Sequence, residues 1–358
     1  MLPEPDSAGR AASDALAARI RAEIRAHDSW IPFARYMELA LYAPGLGYYA
    51  GGAAKLGAGG DFVTAPELGK LFGRTLAVQL KQFLQAGDEI LELGAGSGAL
   101  AEVLVEELSV PYNILETSPD LRDRQQKRLG NRARWLERLP ERFRGVMLAN
   151  EVVDAMPVHA VAWTPEGVKD RGVRFSQGSF SWHDRPARGP LLEAANRIPV
   201  NAPYQSEIGL AARAWIPALG ERLERGAILV VDYGFPAREY YHPQRTMGTL
   251  MCHYRHRAHG DVFFHPGLQD ITAHVDFSAL AVAAREAGLE LLGYTRLAQF
   301  LVNCGVTGLL EKGIGSPQEA NTLLSPAEMG ELFKVIAFGR GIAAPLAGFR
   351  EGDRSHAL

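Results

Sequence analysis

Apolar side chains at Leu16, Ile20 and Ile24, with arginines between them, set the first clear period of the chain, that of an amphipathic helix beginning after Ser13. The glycine-dense stretch GGAAKLGAGGDF predicts a loop. Thr64-Ala-Pro-Glu67 then matches the S/T-x-x-E capping box, in which Thr64 caps the amide of Glu67 and Glu67 returns the bond, so a helix is predicted from about Ala65 into Phe83. Beyond it the pattern changes. EILELG, YNILET, ARWL, RGVMLAN and GAILVVDYG are short apolar runs, several of them separated by amphipathic helical stretches. That alternation predicts an α/β fold, a doubly wound parallel sheet covered on both faces. VDFSALAVAAREAGLELLGYTRL predicts a helix followed by a strand, and FKVIAFGRG a late strand pairing antiparallel beside it.

Two segments interrupt the alternation. Between Val158 and Trp182, turns at Pro165-Glu-Gly167 and Gln177-Gly178 join strand-like runs, which predicts a hairpin insert. Between Tyr233 and Ala273 lies a stretch rich in aromatics, histidine and arginine, too long for a simple connection and hence a candidate functional loop. The expected organisation is an N-terminal helical region with a glycine-rich lid loop over 1–83 and a core over 84–345. The core carries inserts at about 158–205 (hairpin), 233–275 (loop) and 296–332 (helical), and 346–358 forms a tail.

Composition narrows the class without naming it. The 358 residues are 47% hydrophobic and 22% charged with a net charge of −3, so no global attraction to nucleic acid or anionic membrane is expected. The two cysteines, Cys252 and Cys304, form no CxxC pair, which suggests neither a disulfide framework nor a cysteine zinc site and fits a reducing compartment. The opening MLPEPDSAGR has acids and no apolar core, unlike a secretory signal, and no run approaches the length of a membrane span. A bacterial cytoplasmic location is expected.

Glu92-Leu-Gly94-Ala95-Gly96-Ser-Gly98 ends a predicted strand and opens a predicted helix, where bare backbone admits a ligand to the helix N-terminus. Roughly 20 residues on, Glu116 ends the next strand and can accept both hydroxyls of a ribose. GAGSGA also satisfies the G-x-G-x-x-G/A fingerprint of nicotinamide enzymes, and a tight turn with no ligand is the plain structural reading. Glu92 separates the cofactors. A carboxylate just before the loop repels a pyrophosphate but suits the ammonium and sulfonium of S-adenosylmethionine, and a late antiparallel strand suits a methyltransferase sheet. Ser97 lies outside any G-x-S-x-G, which removes a hydrolase nucleophile.

Taken together, GDFVTAPELGKLFG, LELGAGSG, NEVVDAMPV, VVDYGF, GTL followed by HYRHR, DITAHVDF and MGELFKVIAFGR resemble the MidA family of class I S-adenosylmethionine-dependent methyltransferases. That family includes the mitochondrial arginine methyltransferase that assists assembly of respiratory complex I. The resemblance runs from about Trp30 to Arg340. It implies a Rossmann-like core, S-adenosylmethionine as cofactor, Gly94, Gly96 and Gly98 against it with Glu116 on its ribose, and Asp61 and Thr64 in a loop beside the pocket. It also implies methylation of a protein arginine, with a complex I subunit as one acceptor, and leaves self-association open. A binding protein that keeps the cofactor pocket as an assembly factor, a small-molecule methyltransferase and a nicotinamide dehydrogenase are the alternatives.

Methyl transfer asks the protein to align an acceptor and exclude water, and needs no metal. The acceptor side is expected after the fourth strand, at the carboxyl edge of the sheet, where Asn150-Glu151-Val-Val-Asp154 presents two acids and an amide. On a helical turn Glu151 and Asp154 share one side and can hold a guanidinium; the alternative is a capping role for either. Trp135 and Glu137 can edge an adenine, Trp135 being equally a core residue. Asp232 and Tyr233 are expected at the substrate mouth, unless Asp232 caps a neighbouring turn, and Glu207 is a weaker acceptor candidate. In Cys252-His-Tyr-Arg-His-Arg-Ala-His259 the arginines disfavour a metal, and a basic loop that docks a partner or covers the cleft is the preferred reading.

Overall fold

The computed structural model describes residues 2–51, 64–343 and 345–358. They gather into two compact units, one drawn from 1–62, 154–212 and 238–274, the other from 63–153, 213–237 and 275–358. The segments expected as the hairpin and loop inserts therefore group with the N-terminal helices, and residues 64–83 group with the glycine turn.

The second unit is built on an eight-stranded sheet. Its order runs Glu290–Arg296, Phe333–Arg340, Leu223–Phe235, Phe143–Asn150, Glu89–Leu93, Tyr112–Leu115, Arg134–Leu136, and Val275–Asp276 adds to the end of Leu223–Phe235. The strands from Leu223–Phe235 to Arg134–Leu136 pair in parallel, whereas Phe333–Arg340 runs antiparallel between its two neighbours. This is the late antiparallel strand predicted from FKVIAFGRG. Both alternating sets of strand side chains are buried. Ile90, Val146, Leu148, Leu229 and Val335 join a core with helices Leu71–Phe83, Ala99–Glu107 and Leu297–Asn303, while Leu91, Met147, Ile228, Val230 and Phe338 are equally covered. Strands buried on both faces have no reason to alternate, which is why they read as continuous apolar runs. Residues beyond 345 also belong here: Phe349 sits in the same core, and the Asn303 side-chain amide donates to the Gly348 and Glu351 carbonyls.

One element differs from its prediction. Instead of a single helix over 65–83, a short helix Ala65–Leu68 and a helix Leu71–Phe83 are separated at Gly69-Lys70. The Thr64 side chain makes no cap bond, and Glu67 turns instead to the Ser97 hydroxyl, which donates to it. The local capping box loses to tertiary partners.

In the first unit, helix Ser7–Ala26 starts on Asp6, whose carboxylate accepts from the Gly9 amide (2.7 Å), and buries Leu16, Ile20 and Ile24 as their spacing predicts. An antiparallel sheet follows the order Ile31–Pro32, Gly167–Ser176, His159–Thr164, Tyr204–Ile208, with Ser179–Pro186 also on Gly167–Ser176. The predicted hairpin is thus part of a larger sheet. The long aromatic segment contains a second sheet, Arg257–His259, Met251–Tyr254 and Asp270–Thr272. No helix among the described residues is long and apolar enough to cross a membrane.

Candidate active site

At the carboxyl edge of the second unit's sheet, strand Glu89–Leu93 is flanked by Tyr112–Leu115 and Phe143–Asn150, with Leu93 opposite Leu115 on one side and Ala149 on the other. The register brings the glycine turn, Glu116 and Asn150-Glu151 to one place. Gly94, Gly96 and Gly98 all have left-handed backbone, with φ of 67°, 55° and 81°. At Gly94 the conformation demands glycine, and a Cβ would also stand a tight 3.1 Å from Val152 Cγ2. Gly98 caps helix Ala99–Glu107 without a side-chain bond.

Gln125, fully buried on helix Pro119–Leu129, ties the expected cofactor residues together. Its amide donates to the Gly96 carbonyl (2.9 Å) and to Glu116 Oε2 (3.0 Å), and its oxygen accepts from the Trp135 indole (3.0 Å). Sequence reading passes over this residue, because a glutamine in a charged helix carries no motif. Burial pushes the Glu116 carboxyl above its ordinary range, opposed by hydrogen bonds from the Ser118, Thr117 and Gly96 amides and from Gln125. Glu92, almost fully buried, accepts from the Tyr112 hydroxyl (2.8 Å); burial raises its carboxyl to about 7, the tyrosine bond opposes the rise and the charge of Glu116 adds to it. Ser97 donates to Glu67 and accepts from Arg128 Nη1 (2.9 Å).

On the acceptor side, Asn150 Nδ2 donates to Glu151 Oε1 (3.2 Å), which also receives the Ala65 amide (3.3 Å). The buried Oδ1 of Asn150 has no hydrogen-bond partner among the described residues, and so offers an acceptor to a ligand bearing N–H groups. The predicted helical turn over Glu151 and Asp154 is absent: Glu151 adopts φ 55° and the residues through Met156 form bends and a turn, with no helix. Asp154 is buried in the first unit, where its carbonyl accepts from the Ala273 amide (3.0 Å). The reason lies in Asp232. Its Oδ2 accepts from the Val152 (3.2 Å) and Val153 (2.9 Å) amides, and those bonds hold the chain away from a helix. This fully buried aspartate therefore plays the capping part open to it rather than facing a mouth. Tyr233 packs edge-on to Phe333 (5.4 Å) against the main core.

Trp135 is partly buried against the main core, with its indole nitrogen turned to the cluster. Glu137 instead pairs with Arg122 (2.6 Å) on the surface. Glu207 lies in the first unit, buried, accepting from the Thr249 amide (2.8 Å) and hydroxyl (2.9 Å). Cys252 is buried in the 251–259 hairpin, where burial pushes its thiol well up, and no group of metal-binding side chains occurs among the described residues. Asp61 and the glycine-rich loop lie outside the described residues.

A parallel sheet with one antiparallel strand near its edge, a left-handed glycine turn after a central strand and an acid ending the next define a class I methyltransferase. Residues 71–295 match the model of a family of S-adenosyl-L-methionine-dependent methyltransferases, and the chain belongs to that family. A protein of Burkholderia thailandensis, crystallised bound to S-adenosyl-homocysteine, has the same fold and is 49% identical, with each chain fully covered and a TM-score of 0.95. Among curated relatives, protein arginine methyltransferase NDUFAF7, mitochondrial, of Danio rerio is 27% identical over 90% of this chain and 89% of its own. The Drosophila melanogaster homolog is 27% identical over 97% and 91%.

Proposed function

We propose that this S-adenosylmethionine-dependent methyltransferase holds its cofactor along residues 94–98 and methylates an arginine side chain of a protein. The observation that carries the placement is the buried Gln125 that joins the Gly96 carbonyl, Glu116 and Trp135 in one cluster at the edge of the sheet. In this reading Gly94, Ala95, Gly96 and Gly98 line the ligand, Glu116 receives its ribose hydroxyls and Trp135 edges its adenine. Glu92 and the open acceptor of Asn150 favour its ammonium end, with Thr64 beside it. When bound, the cofactor supplies a methyl group on a sulfonium sulfur, so the chain's own task is to orient the acceptor and exclude water.

The acceptor assignment draws on the relatives named protein arginine methyltransferases, and on Glu151, a carboxylate at the edge of the sheet. A guanidinium stays protonated at neutral pH, so as its nitrogen takes the methyl group and S-adenosylhomocysteine leaves, a proton must pass to a carboxylate or to water; Glu151 is the carboxylate that holds the charge on one side. The resemblance to the MidA family points to a respiratory complex I subunit as acceptor.

The test is transfer of labelled methyl groups into protein, followed by amino-acid analysis of the labelled band. Label in arginine is expected. Glu151→Gln is expected to lower turnover about hundredfold, with S-adenosylhomocysteine affinity within about twofold. Label in another residue type would overturn the arginine assignment, and unchanged turnover would remove Glu151 from the acceptor site.

A further inference from the structure

The break at Gly69-Lys70 has a cause some 250 residues downstream. Glu319 belongs to helix Pro317–Leu324 of the 296–332 insert, and although only 5% exposed it sends its carboxylate to the start of helix Leu71–Phe83, where Oε1 accepts from the Leu71 amide (2.7 Å). The fit is close. A Cβ at Gly69 would lie 2.5 Å from Glu319 Oε2, and one at Gly315 would lie 2.9 Å from the Leu71 Cβ. The insert is anchored behind this contact by Ala320 and Leu323, in the core that also holds Ala65, Leu71 and Phe72.

Residues 65–71 are thereby pinned at three points within the second unit. The Ala65 amide donates to Glu151, Glu67 accepts from Ser97 in the glycine turn, and the Leu71 amide donates to Glu319. Their local sequence favours another state, since the capping box and the apolar period predict one helix across 65–83. In a continuous helix the Leu71 amide would bond to the carbonyl four residues earlier, and Glu67 would return to its own helix end, away from Ser97. The carboxylate of Glu319 supplies the competing acceptor that keeps the break open.

We infer that Glu319 is a positioning residue for the cofactor turn: by capping Leu71 it holds the 65–68 turn so that Glu67 fixes Ser97 between Gly96 and Gly98. The inference rests on the placement of the cofactor along residues 94–98. It gives the helical insert a part in the reaction without any contact with ligand.

The experiment measures S-adenosylhomocysteine affinity by calorimetry on the full chain, alongside thermal denaturation without ligand. Glu319→Ala is expected to weaken binding about tenfold, because small displacements of a binding loop are felt strongly. Glu319→Gln, which keeps an acceptor for Leu71, is expected to stay within about threefold of the parent. Gly69→Ala disturbs the same contact from the other side and is expected to reproduce the loss if Glu319→Ala does not fold. The readout that general destabilisation would not give is coupling: Glu67→Ala and Glu319→Ala together are expected to weaken binding about tenfold, not hundredfold, because both act through Ser97. Normal binding by Glu319→Ala or Gly69→Ala, or additive losses in the double variant, would overturn the inference while Glu116→Ala still abolishes binding. Normal binding by Glu116→Ala would instead remove the cofactor placement, and the inference with it.

Discussion

Glu92 couples the glycine turn to pH. Burial raises its carboxyl to about 7, so between about pH 4.5 and 7 the folded protein holds a proton that the unfolded chain has released. Its contribution to stability is therefore fully present below about pH 4.5 and is lost as pH rises through about 7. Binding runs the other way. A cationic ligand favours the ionised carboxylate, so S-adenosylmethionine affinity is expected to rise up to about tenfold from pH 6 to pH 8, and Glu92→Gln to flatten that rise in calorimetry. That Glu92, the three glycines and Glu116 gather at one edge of the sheet was legible because short local spacing sets it. Gln125 was not, since nothing in DRQQKR distinguishes the glutamine facing the sheet from its neighbour until helix Pro119–Leu129 is packed.

Elements at the carboxyl edge owe their shape to side chains from other elements. Asp232, at the end of one strand, supplies the acceptors for the amides that follow its neighbour, and a third bond runs from the Tyr233 amide to its Oδ1 (2.9 Å). Removing a buried carboxylate that satisfies backbone donors leaves them unpaired, so Asp232→Ala is expected to destabilise the protein by about 3 kcal/mol in chemical denaturation, and Asp232→Asn by less. Methylation should fall in both, because the turn that carries Glu151 depends on those bonds. Helix continuity over 65–83 and the helical turn at Glu151 were mispredicted for the same physical reason. Sequence periodicity reports local hydrogen-bond preference, whereas Glu319 and Asp232 provide acceptors from distant chain.

For the whole molecule, a ligand that binds only the folded state stabilises it by mass action. S-adenosylhomocysteine at one hundred times its Kd is expected to add about 2.7 kcal/mol to unfolding, and Glu116→Ala to cancel that gain in a thermal-shift measurement. The sequence by itself determined the doubly wound sheet, because strands buried on both faces must be continuously apolar and their helices must be amphipathic; it also determined the antiparallel strand and the glycine turn. Tertiary structure alone decided that the hairpin and aromatic segments gather with the N-terminal helices into one unit, that Asp232 turns inward to hold backbone, and that an insert with no recognisable motif reaches the 65–71 segment through Glu319. Burial patterns are written residue by residue along the chain. Which distant acceptor meets which amide follows only from packing, where the gain from satisfying a buried donor outweighs the local preference of the segment that carries it.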